Sequence, residues 1–256
     1  MLDRLAKSPL LLGAAFLVAA LVGAGAFAGI QVLLPSASGD RAKTEAVIHD
    51  YILAHGELLP EAMSRLEARQ TAERNKAAVG VIAANKAKIV DPYSGAFQGN
   101  PRGDVTVAAY LDYNCGYCRA SLPALAELVQ RDPKVRIVYR EFPVLAESSV
   151  TAARWALAAA EQGKFMAFHK ALYAAGRSDD AAIAAAAAAA QLDRALAVTT
   201  VKQARIGAEI DKNHRVAEAL GSSGATPFWV IGDQVISGMI DYDRLAAAVA
   251  SARKGK

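Results

Sequence analysis

The chain has 256 residues, 54% of them hydrophobic, with a formal net charge of +4. Its positive residues are scattered, and the closing Arg253-Lys254-Gly255-Lys256 is too brief to form a nucleic-acid patch, so no nucleic-acid partner is expected. Its two cysteines stand three positions apart, which excludes a scaffold of several disulfides and a four-cysteine zinc site.

Arg4 and Lys7 precede an uncharged stretch from Ser8 to Ser38, within which Leu10 to Leu34 is almost wholly apolar. A helix of that length rises roughly 37 Å at about 1.5 Å per residue, more than the ~30 Å hydrocarbon core. A secretory signal has an apolar run of about 7–15 residues closed by a small-residue cleavage site. Ala26-Phe27-Ala28 fits such a site, yet Ile30 to Leu34 continue the run beyond it. Both readings stay open: an uncleaved anchor with its positive end in the cytoplasm, or a cleaved signal, with length tipping the balance to the anchor. Either way the remainder is exported to the periplasm, where disulfides persist, tethered to the inner membrane by residues 10–34 or soluble after cleavage. Residues 1–38 are set apart as signal or anchor plus linker, and Pro35 to Asp40 reads as the linker.

Residues 41–90 read as a helical arm. Val47, Ile48, Tyr51 and Ile52 fall on one helical face. Pro60 suits the first turn of a second helix carrying Met63 and Leu66, with Glu61 favourable near its N-terminus. Thr71 to Ile89 reads as a third, longer helix with a modest apolar stripe. Short amphipathic helices need a partner to bury their face, so a homo-oligomerisation segment and a solvated arm both stay open.

Asp91 to Gly103 is rich in Gly, Pro, Asn and Asp and reads as a loop. Val105 to Leu111 is a buried strand, and the cysteine pair follows at once. Ala120 to Gln130 is helical, and Val135 to Tyr139 is a second strand. Val150 to Ala175 is one strongly helical run whose Trp155, Phe165 and Phe168 are core residues. Ser178-Asp179-Asp180 caps an alanine tract through Ala190, helical sequence continues to about Leu220, and Gly221 to Gly224 breaks it. Phe228 to Ile231, Gly232-Asp233 and Gln234 to Ile236 form a hairpin, and Tyr242 to Ala252 a closing helix. This order predicts an α/β domain over residues 91–256 with a helical insertion at about 146–220.

Cys115-Gly116-Tyr117-Cys118 sits where a strand turns into a helix. Unsatisfied backbone N–H groups and the helix dipole there favour the thiolate at the first cysteine. The thiolate is the attacking species in disulfide exchange, so Cys115 is the expected nucleophile. Cys118, one helical turn on and on the same face, is the expected resolving thiol. Tyr117 offers a flat apolar platform for a substrate segment. A lone CxxC can also be half of a metal site or an inert bridge. The candidate further zinc ligands, His49, His55, His169 and His214, show no paired ligand spacing, so the redox reading is favoured and neither metal nor cofactor is expected.

Four segments together resemble the DsbA-like thioredoxin family: Gly99 to Val107, Asp112-Tyr113-Asn114-Cys115-Gly116-Tyr117-Cys118, Arg140-Glu141-Phe142-Pro143 and Ala225-Thr226-Pro227. The resemblance covers about Asp91 to Ala252 and is closest to the ScsC-type periplasmic branch, whose N-terminal helical segment is similar to Ala46 to Ala68. It implies a thioredoxin-like fold with an inserted helical domain, and a cis-proline at Pro227 facing the cysteines. The backbone of Thr226 would then face outward beside Cys115, ready to pair with an extended substrate. The Gly-Tyr dipeptide is similar to that of periplasmic disulfide isomerases. The implied partners are exported proteins with thiols or disulfides and a membrane redox partner.

One departure stands out. Members of the family commonly place a buried carboxylate six residues before the first cysteine, and that position is Ala109 here. Glu141, read as a charge at the rim of a strand end, and Asp112 are the acids that could substitute. The expected function is protein thiol:disulfide exchange, as oxidase, isomerase or reductase, with a small tilt to the last two. The alternatives are a non-enzymatic periplasmic holdase and a carrier holding Cu(I) on its thiolates.

Overall fold

The computed structural model describes residues 9–33, 37–222 and 224–255. Arg4, Lys7, Leu34 and the linker residues Pro35 and Ser36 lie outside the described residues. The chain divides into two compact units, Met1–Glu67 and Ala68–Lys256.

The first unit holds helix α1 (Pro9–Leu33), helix α2 (Ala37–Ala54) and the start of helix α3 (Leu58–Ala84). The linker expected over Pro35 to Asp40 is shorter than that, since α2 already begins at Ala37. Side chains of α1 are described only over part of its length, and among the described residues no helix is long and apolar enough to cross a membrane. Val47, Ile48, Tyr51, Leu59, Met63 and Leu66 are exposed within this single chain.

In the second unit the later turns of α3 are followed by α4 (Lys86–Val90), β1 (Phe97–Gly99), β2 (Val105–Leu111), α5 (Gly116–Arg131) and β3 (Val135–Glu141). Five helices come next: α6 (Glu147–Glu161), α7 (Phe165–Ala175), α8 (Asp180–Ala189), α9 (Arg194–Thr200) and α10 (Ala204–Ala219). The hairpin β4 (Phe228–Ile231) and β5 (Gln234–Ser237) and helix α11 (Tyr242–Lys254) complete the chain. The sheet order is β1-β3-β2-β4-β5, with β2 and β3 parallel and the other pairings antiparallel. This is a thioredoxin-like mixed sheet with a helical block between β3 and β4.

Period-2 geometry explains why β2 reads as a continuous apolar run: both its faces are covered. Val105, Val107, Ala109 and Leu111 join one core with Leu125, Leu128, Phe165, Phe168, Trp229 and Leu245. Ala108 and Tyr110 point the other way, into a core with Ala78, Ile82, Ile89, Val216, Ala217 and Phe228. Phe165 and Phe168 are buried in the first of these cores and the partly buried Trp155 packs against that core, as their spacing indicated.

Three local readings are corrected. Residues 91–103 hold a strand as well as a loop, because Phe97–Gly99 pairs antiparallel with Val138 to Arg136 at the sheet edge. The helical run over Val150 to Ala175 is two helices, broken where Gly163 takes a positive φ of 68°. Thr71 is not a helix start, since α3 runs unbroken from Leu58 to Ala84 and the chain breaks at Asn85 instead. Elsewhere the capping chemistry holds: Asp179 accepts the N–H of Ala182 at 2.8 Å and starts α8.

Candidate active site

Strand β2 ends at Leu111, and Asp112 to Asn114 turn the chain into α5. The turn is tied down by the Asp112 carboxylate, which accepts Asn114 N–H at 2.8 Å and the Ser149 hydroxyl at 2.7 Å on one oxygen. Its other oxygen accepts the N–H groups of Val144 and Leu145 at 2.8 and 3.0 Å. One side chain thus joins the segment after β2, the segment after β3 and the start of α6.

The turn makes Cys115 the N-cap of α5, its sulfur accepting the backbone N–H of Cys118 at 3.3 Å. From the other end of the chain, Thr226 brings its carbonyl oxygen to 3.4 Å from Cys115 Sγ. The Thr226–Pro227 bond is cis, in line with what the resemblance implied. Its loop is held by Gly238 N–H on the Pro227 carbonyl at 2.9 Å and by the Trp229 indole N–H on the Gly238 carbonyl at 2.9 Å. Thr226 Oγ1 is buried without a geometric partner of its own and lies near enough to both sulfurs to favour their ionised forms.

The two thiols, both free, stand in opposite electrostatic settings. Cys115 is held down at about 6, chiefly by a hydrogen bond from the Cys118 side chain, with Thr226 and the backbone N–H groups of Cys118 and Tyr117 acting in the same direction and burial opposing them. Burial pushes Cys118 far above the ordinary thiol value, and its hydrogen bond to Cys115 adds to that. At neutral pH the arrangement is one thiolate beside one thiol, the charge state needed for exchange with a disulfide.

Tyr117, between the two cysteines in sequence, is 68% exposed. The Ser121 hydroxyl donates to the Tyr117 carbonyl at 2.9 Å and accepts Ile240 N–H at 3.2 Å, linking α5 to the segment after β5. Ala109 is fully buried, paired with Tyr139 of β3 and Trp229 of β4, so position 109 offers no acid to the cysteines. Among the described residues no three His, Cys, Asp or Glu side chains are placed to hold a metal ion.

Glu141 is not at a rim. It is 3% exposed, accepts the Tyr113 hydroxyl at 3.3 Å, and burial raises its pKa well above the carboxylate range. The correction has a physical cause: β3 runs two residues past Tyr139, so Glu141 is still inside the strand, and Asn213 of α10 donates to its carbonyl at 3.0 Å. Tyr113, His169 and Tyr173 lie around it and were not expected at the site. Tyr113 stood inside the cysteine motif as a signal, whereas His169 was weighed only for metal-ligand spacing.

The DSBA-like thioredoxin domain model matches residues 106–250, more than half of the chain. The chain belongs to this family. Proteins of the DsbA-like family are in general thiol–disulfide oxidoreductases, and the fold and cysteine motif above are theirs. A second model, the copper resistance protein ScsC N-terminal domain, matches residues 40–73. Among solved structures, a thioredoxin-like oxidoreductase from Silicibacter pomeroyi is similar at 40% identity and TM-score 0.63, over 66% of this chain and 98% of that one. The thiol-disulfide exchange protein alpha-DsbA2 from Wolbachia pipientis is similar at 27% identity and TM-score 0.64, over 70% and 97%. A curated relative, the Na(+)/H(+) antiporter NhaA 3 of Salinispora tropica, is 32% identical over 64% of this chain, and the match takes up a quarter of that protein's length.

Proposed function

We propose that this DsbA-like protein exchanges disulfides with exported proteins, using Cys115 as nucleophile and Cys118 as resolving thiol. The observation that carries this reading is the charge asymmetry of the pair, a sulfur at about 6 on the helix N-cap beside a buried thiol held far higher. The Cys115 thiolate attacks a substrate disulfide and displaces one substrate thiolate, giving a mixed disulfide. Cys118 then loses its proton, attacks Cys115 Sγ and releases the second substrate thiolate. The Thr226 backbone and the exposed Tyr117 ring are the surfaces offered to an extended substrate segment. A membrane redox partner resets the pair.

The direction of net exchange follows from the potential: strong protein oxidants lie at about −120 mV and reductants at about −270 mV. The Gly-Tyr dipeptide supports the isomerase or reductase side. The test is refolding of a scrambled-disulfide substrate, with the potential of Cys115/Cys118 measured alongside. Loss of reshuffling in Cys115→Ser is expected; full retention would replace catalysis with a holdase role. Tight Cu(I) uptake by the reduced protein against a competing chelator, without reshuffling, would favour a thiolate copper carrier.

We infer also that residues 41–90 assemble copies of the chain. The exposed Val47, Ile48, Tyr51, Met63 and Leu66 support this, because one chain leaves them in water. Sedimentation should report an oligomer that Ile48→Glu/Tyr51→Glu dissociates; a monomeric unaltered protein would end the inference. Export rests on the apolar run of residues 10–34 behind Arg4 and Lys7. Retention of the protein in carbonate-washed membranes is the expected result of an anchor, and release of a shortened chain that of a cleaved signal.

A further inference from the structure

The first turn of α5 meets the helical insertion along a polar edge that the exchange steps above do not use. Asn114, the residue before the nucleophile, donates its side-chain amide to the hydroxyl oxygens of Ser148 and Ser149 at the start of α6, each at 2.9 Å. The Ser178 hydroxyl donates to Ser148 Oγ at 3.2 Å, which brings the segment between α7 and α8 to the same place. Two residues earlier that segment holds Gly176, the C-cap of α7, and the Arg119 guanidinium donates from Nη2 to its carbonyl at 3.2 Å. Arg119 therefore stands at the edge where α5, α6 and the turn after α7 come together.

The same residue is tied to the nucleophile. Arg119 N–H donates to the Cys115 carbonyl at 3.1 Å, the backbone bond that opens α5. Residues four apart share a helix face, and a helical side chain leans over the turn that precedes it, here the turn of Cys115. The guanidinium lies close against Gly176, where a Cβ would come within 3.1 Å of Nη1. Gly176 also has a positive φ of 73°, so backbone conformation and close approach call for the same residue. The head group is thus seated, while the residue as a whole is exposed. Gly176 takes one of its N–H donors, and among the described residues no carboxylate is paired with Arg119. Neighbouring charges do not cancel it. Arg177 is paired with Asp179 at 3.0 Å, and Glu147, which opens α6, is exposed and makes no ion pair with Arg119. A cation on the last carbonyl of a helix also favours that helix, and such a purely structural tie is the competing account of Arg119.

We propose that Arg119 is a specificity-determining residue that favours disulfides flanked by carboxylates over disulfides flanked by cations. The proposal rests on the exchange reaction above and names the substrate class which that reaction prefers. The attacking thiolate is negative and repels an anionic substrate. Arg119 offsets that repulsion from the helix face that carries Cys115, and its open fork matches a carboxylate close to the target sulfur. The covalent step is unchanged: the bond from Cys115 to the substrate sulfur forms, the substrate S–S bond breaks, and one substrate thiolate leaves. Cys115 is held ionised by hydrogen bonds from Cys118, Thr226 and backbone N–H groups, with no charged side chain among them, so Arg119 acts on the arriving substrate rather than on the sulfur.

The test is the second-order rate at which the reduced full-length protein is oxidised by three small disulfides at neutral pH. Glutathione disulfide is anionic, cystamine is cationic and hydroxyethyl disulfide is neutral, and each charged rate is divided by the neutral one. Arg119→Gln should lower the relative rate of glutathione disulfide and raise that of cystamine, each about two- to fivefold. Arg119→Glu should move both further in the same directions, and Arg119→Lys should restore most of the preference. In the unaltered protein, where no variant has to fold, the relative rate of glutathione disulfide should fall as salt rises from about 0.01 M to about 1 M, because the screening length shrinks from about 30 Å to about 3 Å. Relative rates that Arg119→Gln and Arg119→Glu leave unchanged, or a relative rate of glutathione disulfide that does not fall with salt, overturn the proposal. Arg119 is then a tie on the end of α7, and exchange stands. An unaltered protein that reacts with none of the three disulfides overturns both.

Discussion

Cys115 Sγ stands 3.4 Å from the carbonyl oxygen of Thr226, a residue 111 positions further along the chain. Two independently specified turns make that meeting: the strand-to-helix turn fixed by Asp112, and the loop before β4 fixed by Trp229 and Gly238. A substrate chain arriving at the sulfur therefore meets an ordered backbone edge, and little of the ordering entropy remains to be lost at binding.

Cys118 is expected to lower the Cys115 value as well as to resolve the mixed disulfide, because its side chain is the largest cause of that lowering. In Cys118→Ala the alkylation profile of Cys115 should move to higher pH and mixed disulfides with substrate should accumulate. The backbone N–H of residue 118 still points at the sulfur, so the value should stay below that of an ordinary thiol. Alkylation rates against pH, with trapping on non-reducing gels, check both parts.

His169 sets a limit on stability in acid. Its folded value is lowered from 6.5 to about 3 by burial. A base with a depressed folded value contributes stability that is present above 6.5 and is lost as pH falls from there towards 3. At pH 5 the loss is about 2 kcal/mol by linkage. Denaturant midpoints at pH 7 and 5 should show it, and His169→Gln should weaken the pH dependence between them.

Ala109→Glu is expected to place a carboxyl beneath the cysteines at the sum of two effects. Overpacking a filled core position costs about 1–3 kcal/mol. A proton acceptor near Cys118 should speed release of the mixed disulfide and shift the pH profile of exchange. Stopped-flow exchange rates against pH decide it: an unchanged profile in a folded variant would mean that the empty position limits nothing.

Much of the catalytic unit was legible because β2, β3 and β4 are buried on both faces and so read as Val, Ile, Tyr and Trp runs. The cysteine pair was legible because it directly follows one of them. Strand β1 was hidden because Phe97–Gly99 is two half-buried residues and an exposed glycine whose pairing is a property of β3, not of its own composition. The break at Gly163 was masked by strong helical sequence on either side. The pair Arg140-Glu141 read as surface charge, yet Arg140 is satisfied by the Ile89 and Asp91 carbonyls and by Glu209, and Glu141 by Tyr113. Partners that lie 28 to 69 residues away leave no local pattern to read.

The most direct measurement is the rate of Cys115 alkylation in the reduced protein across pH 4 to 9, read residue by residue by mass spectrometry. A single ionisation at about 6 is expected for Cys115, with Cys118 unlabelled throughout. A Cys115 that labels only in alkali, at the pace of an unperturbed thiol, would contradict the nucleophile assignment and the exchange reaction built on it.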